Sequence, residues 1–408
     1  MKYIIYIKKF LQKRYKMIKW PQIRNSEFYL NKILSVLSSD IWTIRAQKPG
    51  YYLTEEFENK WANFCGRKYA LLVSSGSSAL EISLRVLNIG KADEVIIPAL
   101  GWYATAAAVT RVGATPIFCD VDPYTTCIDA QQIAYLVTAK TRAIIAVHLH
   151  CSFAPLMALK DLCEKHKIIL LEDAAQSHGG TYLNHSPGYY SLAASFSFNQ
   201  EKLIPSGEGG AIVTDDEDFY RKAYALRTDG YISCNYGEWA PSGFLGSNSA
   251  ASEFQAAVLL GSLEEFSYFN KMRLENAQKA IDNLRSIEGI TTILQPTEIT
   301  HNFYYELGII FSDSVLSKIS LDTIIKIINE QNIVLVGRTD IPVPNNPLFS
   351  SYYHDKRHNF LFKNAEKVYN SLIVVHHKFL LQEQIQYILP NLIQNILSSI
   401  STNSINIV

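Results

Sequence analysis

Between Tyr69 and Thr214 the chain repeats one pattern: a short apolar run, a polar or glycine-bearing turn, then a longer stretch of helical periodicity. This is the patterning of an α/β fold. The candidate strands are Tyr69 to Val73, Glu94 to Ile97, Pro116 to Cys119, Ala143 to Val147, Ile168 to Leu171, Ser195 to Phe198 and Gly210 to Thr214. Most lack polar alternation, as expected of strands covered on both faces by helices.

After Thr214 the pattern turns helical, over Asp218 to Arg227 and Ser252 to Glu265, with a Tyr/Gly/Trp-rich stretch from Tyr231 to Gly246 between them. That stretch reads as a long loop, and long loops in compact enzymes tend to line sites. From about Lys271 onward the signals are mixed, which predicts a smaller C-terminal domain, and the Ser/Asn-rich tail after Leu397 reads as frayed. The first nineteen residues, MKYIIYIKKFLQKRYKMIK, are basic and interleaved with large apolar side chains. They are too short and too charged to span a bilayer, and their charge is too evenly spread for a signal peptide. A surface helix on anionic lipid, a solvated arm, or an upstream start with Met17 as the working one all remain open.

Composition narrows the class. A chain of 408 residues can bury a large core, and Lys+Arg equals Asp+Glu at 38 each, so there is no nucleic-acid footprint at that level. Cys65, Cys119, Cys127, Cys151, Cys163 and Cys234 are scattered, without CxxC pairs or zinc-type histidine spacing. Reduced thiols in the cytoplasm, and no metal, are the expectation.

Four segments at predicted strand ends converge on one crevice, because ligands of open α/β sheets sit beyond the carboxyl ends of the strands. The first is Ser74-Ser75-Gly76-Ser77-Ser78 after YALLV. Small residues let backbone N–H groups approach an anion at a helix N-terminus, although a serine N-cap without ligand reads the same way. The second, Pro98 to Thr105, carries Trp102, which either lies on a planar ring or packs. The third is Glu172 to Gly179 after IILL. Asp173 there can pair with a protonated heterocyclic nitrogen, with Gln176 facing the same side; a plain N-cap is the competing reading. The fourth, Ser195 to Lys202, is followed by Ser206-Gly207-Glu208-Gly209-Gly210. A lysine between two strands and beside glycines is a candidate Schiff-base former, where an isolated lysine would be a surface residue.

These segments resemble the DegT/StrS type of sugar aminotransferase within the aspartate aminotransferase superfamily, through SSGSSAL, IPALGWYATAAAV, PIFCDVDP, LLEDAAQSHGG and SFNQEKLIPSGEGGAIVTDD. Within it the chain looks most like the glutamine-dependent aminotransferases of scyllo-inosose and 2-deoxy-scyllo-inosose. The pointers are VHLHCS, SGEGGAIVTDDEDFYRKAYALRTDG, GSNSAASEFQAAVLL and the pair His376-His377. The resemblance implies an aspartate aminotransferase-like (fold type I) three-layer α/β domain with a mostly parallel seven-stranded sheet. It also implies a smaller α+β C-terminal domain, giving an arm over 1–19, a large domain over 20–270 and a small one over 271–408.

It implies pyridoxal 5′-phosphate as cofactor, held covalently by Lys202, with Asp173 on the ring nitrogen, Trp102 stacked on the ring and Gln176 at the phenolic oxygen. Gly76, Ser77 and Ser197 would hold the phosphate, with Asn248 reaching across from the second subunit of a homodimer. Two departures stand out: Ser249 and Ala250 follow Asn248 where the wider family has an aromatic and an arginine, and Gly101 replaces a frequent threonine. The implied reaction is a ping-pong transfer from an amino acid, L-glutamine, to a keto-cyclitol or keto-sugar through pyridoxamine phosphate. The alternatives are a nucleotide-keto-sugar aminotransferase using L-glutamate, and a non-catalytic binder of the cofactor. Recognition of the acceptor is expected from Tyr231 to Trp239, Arg338 to Asn346, and His376 and His377, a pair that reads equally as structural.

Overall fold

The computed structural model describes residues 19–44, 51–234, 238–352 and 362–401. Of the basic arm expected over 1–19, all but Lys19 lies outside them. Helices α1 (Ser26–Ser39) and α2 (Leu53–Cys65) lead into β1 (Tyr69–Val73) and α3 (Gly76–Val86). Then follow β2 (Glu94–Pro98), α4 (Ala104–Arg111), β3 (Thr115–Cys119), β4 (Thr141–Val147), α5 (Leu156–His166), β5 (Ile169–Asp173), β6 (Ala193–Ser197) and β7 (Gly210–Thr214). These strands form one seven-stranded sheet of order β1-β7-β6-β5-β4-β2-β3. Only β7 runs against its neighbours, β1 and β6. Every residue of β2 and of β7 is buried. Since successive side chains on a strand point to opposite faces, both faces of the sheet are covered, and the unbroken apolar runs follow from that.

The expected strands lie in this sheet with ends shifted by up to two residues. One of the two-residue shifts matters for the site: β5 continues past Leu171 through Glu172 to Asp173, both of which pair with β4. A buried glutamate is tolerated inside the ladder because its carboxylate accepts from His148 Nε2 (2.8 Å) and from the Gly188 N–H (3.0 Å).

After α6 (Glu217–Arg227), the stretch expected as loop contains a hairpin, Tyr231–Cys234 against Glu238–Pro241. The next helix, α7, runs 32 residues from Glu253 to Leu284, far beyond the expected end at Glu265. It starts at a capping box made by Ser252 and Gln255, runs through the buried Gly261, and Phe266, Phe269, Ala277, Ala280 and Leu284 go on burying one face, with no glycine or proline between Glu265 and Leu284. Residue 270 therefore sits inside a single helix. Beyond it, β8 (Ile290–Thr292), β9 (Glu306–Phe311), β10 (Val336–Arg338) and β11 (Leu372–His376) make an antiparallel sheet of order β8-β9-β11-β10. Helices α8 (Leu321–Asn329), α9 (Lys363–Ser371) and α10 (Ile385–Ser401) accompany this sheet, and α10 stays helical past Leu397.

Candidate active site

The carboxyl ends of the parallel strands open into a cavity of about 430 Å³. Seven of the expected site residues, Gly76, Ser77, Trp102, Asp173, Gln176, Ser197 and Lys202, line it together. Its opposite wall comes from the second sheet and the turns beside it, with Tyr305, Glu306, Thr339 and Asp340.

Asp173 is the last residue of β5 and is buried. Its Oδ2 accepts from the Thr105 hydroxyl at 2.7 Å and its Oδ1 from the Ala175 N–H at 3.2 Å, so the carboxylate is held from two sides. Gln176 accepts the His150 N–H on Oε1 at 2.6 Å, which turns its NH2 group out as a donor. Gly76 and Ser77 open α3, where the first N–H groups have no acceptor within the helix. A Cβ at Gly76 would lie 2.9 Å from the Ser197 Cβ, so glycine is what lets this helix end approach the end of β6. The result is a cluster of N–H and hydroxyl donors suited to an anion.

Lys202 lies in the connection between β6 and β7. Phe198 N–H to Gly209 O and Gln200 N–H to Gly207 O, both 2.8 Å, close that connection. Gly207 turns it at a φ of +86°, in the region that favours glycine. The Lys202 Nζ stands 4.4 Å from the centroid of the Tyr305 ring and makes no hydrogen bond among the described residues. Burial pushes its pKa below the ordinary lysine value, against the pull of the Asp173, Glu306 and Asp340 carboxylates. Burial thus favours the neutral amine, the form that acts as a nucleophile and a proton carrier.

His376 and His377, expected as candidates for acceptor recognition, do not line the cavity. They stand behind the lysine loop. His377 Nε2 donates to the Glu201 carbonyl at 2.9 Å and His376 Nε2 to the same oxygen at 3.2 Å, while Trp20 Nε1 donates to the Gln200 carbonyl at 2.9 Å. Burial depresses both histidine pKa values, helped for His377 by the buried Arg273 guanidinium, so the clamp is made of neutral rings. Asn248 is exposed, bridges Thr228 and does not line the cavity. Of the segment Tyr231 to Trp239, Tyr231 and Ile232 are exposed, and none of its described residues reaches the cavity. None of Glu306, His150 and Thr339 was singled out as a residue by the sequence; His150 falls within VHLHCS and Thr339 within Arg338 to Asn346, both noted there, and Glu306 within neither. Among the described residues, no group of three or more His, Cys, Asp or Glu could hold a metal ion, and no helix is long and apolar enough to cross a membrane.

The model of the DegT/DnrJ/EryC1/StrS aminotransferase family matches residues 25–392. The chain belongs to that family. Among curated members, it is 34% identical over 338 residues to the L-glutamine:scyllo-inosose aminotransferase of Streptomyces griseus, covering 81% of this chain and 79% of that one. It is 36% identical over 303 residues to the L-glutamine:2-deoxy-scyllo-inosose aminotransferase of Micromonospora echinospora, covering 72% of each. The solved aminotransferase from Psychrobacter cryohalolentis superimposes with a TM-score of 0.85 at 26% identity, over 95% of this chain and 100% of that one. The fold is therefore that of the fold type I aminotransferases, and this member of the family is an aminotransferase.

Proposed function

We propose that the enzyme uses pyridoxal 5′-phosphate to move an amino group from L-glutamine to a keto-cyclitol or keto-sugar. The names of the curated relatives support the donor and the class of acceptor. The observation that carries the reading is the shared cavity: a buried Lys202 amine with no hydrogen bond among the described residues, a buried Asp173 carboxylate and an anion-accepting helix end.

These residues fit the cofactor. Lys202 would hold its aldehyde carbon, Asp173 would face the ring nitrogen, and Trp102 would flank the ring. Gln176 would donate its NH2 to the phenolic oxygen, and Gly76, Ser77 and Ser197 would hold the phosphate, joined by Asn248 from a second subunit. Bound in this way, pyridoxal phosphate supplies a carbon to carry the amino group and a ring to accept the electron pair of a breaking C–H bond. The chain supplies the rest. Asp173, fixed by Thr105, would by its charge keep the cofactor's ring nitrogen protonated, and Lys202 would take up and release the migrating proton at Nζ. Buried, free thiols at Cys65, Cys119, Cys127, Cys151 and Cys163 suit a cytoplasmic enzyme, and exposed Asn248 suits a homodimer with shared sites.

Protein reconstituted with the cofactor should absorb near the visible edge and bleach on addition of L-glutamine. Borohydride reduction and peptide mapping should then label Lys202. A band indifferent to every amino donor would overturn the reading and leave a non-catalytic binder. Sedimentation should show a dimer.

A further inference from the structure

We propose that Thr339 and Asp340, backed by a Glu306–His150 pair, form the subsite that recognises adjacent hydroxyls of an uncharged polyol ketone. The inference rests on the aminotransferase reading and names what that site selects. Glu306 opens β9, His150 follows β4, and Thr339 and Asp340 follow β10. In the folded chain, His150 Nδ1 meets Glu306 Oε2 at 2.7 Å and His150 Nε2 meets the Thr339 hydroxyl at 3.1 Å. A carboxylate only accepts, so the ring donates from Nδ1. Whichever partner donates at the other end, the Thr339 oxygen is fixed in place and keeps hydrogen-bonding capacity for a ligand.

The chain of contacts is built rather than incidental. His150 is buried in the left-handed region at a φ of 60°, a conformation a non-glycine residue keeps only when its surroundings hold it. Gln176 Oε1 takes its N–H at 2.6 Å, and the Glu306 N–H donates to its carbonyl at 3.3 Å. Beside it, the half-buried Asp340 carboxylate and Glu306 Oε1 make no hydrogen bond among the described residues, and both residues line the cavity. Arg338 is the cation on this wall. Its guanidinium is already engaged by Asp322 at 2.9 Å and by the Tyr369 carbonyl at 2.9 Å. The wall therefore offers oxygen acceptors under negative charge. Vicinal O–H groups satisfy such acceptors, whereas a phosphate or carboxylate placed there would be repelled.

The test uses the cofactor-loaded protein and calorimetric titration with myo-inositol, an uncharged polyol with no carbonyl to react. Wild type should bind it, and Thr339→Val and Asp340→Asn should each weaken binding about tenfold, the size of one lost hydrogen bond. Thr339→Ser, which keeps the hydroxyl, should restore binding to within about threefold of wild type. myo-Inositol 1-phosphate should bind at least about tenfold more weakly than myo-inositol. In half-reactions followed by absorbance, the rise in half-saturating scyllo-inosose caused by Thr339→Val or Asp340→Asn should exceed any rise for L-glutamine by about fivefold or more. No binding of myo-inositol to wild type, equal losses for both substrates, or tighter binding of the phosphate would overturn the proposal. Wild-type protein that ignores every amino donor sinks the aminotransferase reading instead, and the inositol titrations still decide the subsite.

Discussion

The floor and the far wall of the cavity are built differently. On the floor, Asp173, Gln176, Ser197 and Lys202 fall within one stretch of chain, on or just after neighbouring strands β5 and β6. On the wall, His150 meets Glu306 across 156 residues and Thr339 across 189. The floor rests on a sheet buried on both faces, so its positions follow from where strands stop. The wall exists only because two sheets pack. On the proposed roles, bond-making chemistry is tied to local sequence and substrate selection to tertiary assembly, so variants on the two sides should fail in different ways.

The largest effect should come from Lys202→Ala, which is expected to cut turnover by about 10⁴-fold or more and remove the visible band. Appreciable turnover by that variant would break the contrast, since the floor would no longer carry the chemistry. Asp173→Asn should lower kcat by about 10²-fold or more while bound cofactor, measured after release by alkali, stays near one per chain. If its loss appeared instead as a higher half-saturating acceptor concentration, Asp173 would belong with the wall.

His377→Leu probes the seam between the two regions. It removes one of two donors to the Glu201 carbonyl and should lower apoprotein stability by about 1–3 kcal/mol in urea unfolding, with slower cofactor capture. Unchanged capture would mean that the clamp does not position Lys202.

The smallest expected effect is on pH dependence. Burial holds the folded pKa of Lys202 below the ordinary lysine value of 10.5, which the unfolded chain keeps. Between those two values the unfolded chain binds a proton that the folded chain does not, so this group makes apoprotein stability rise with pH across that window. Cofactor capture, which needs the neutral amine, should rise with pH and level off below 10.5. Lys202→Met should erase the extra slope in stability, and a slope that survives would place its origin elsewhere.

Much of the floor could be read in advance because each residue there follows an apolar run that can only be a buried strand. Even so, Asp173 was expected just beyond its strand and lies within it, because His148 and Gly188 satisfy the neighbouring Glu172 carboxylate. The pair His376-His377 enters through the resemblance, as a candidate for acceptor recognition that reads equally as structural. Their place behind the lysine loop follows from the register of β11 against β9, where Glu306 faces His376. Helix α7 outran its expected length because apolar spacing kept recurring, so position 270, where a domain boundary was expected, falls inside a continuous helix.

By itself, the sequence determined the alternation of strand and helix, the order of the strand-end segments and the candidate lysine, since apolar periodicity and turn residues act over a few positions. Only tertiary structure decided that Glu306, His150 and Thr339 form one chain of contacts, that His376 and His377 grip a carbonyl, and that Arg338 is already engaged. Hydrogen bonds and charge depend on separations of a few ångströms in space, and residues far apart in sequence reach those separations only when the core packs.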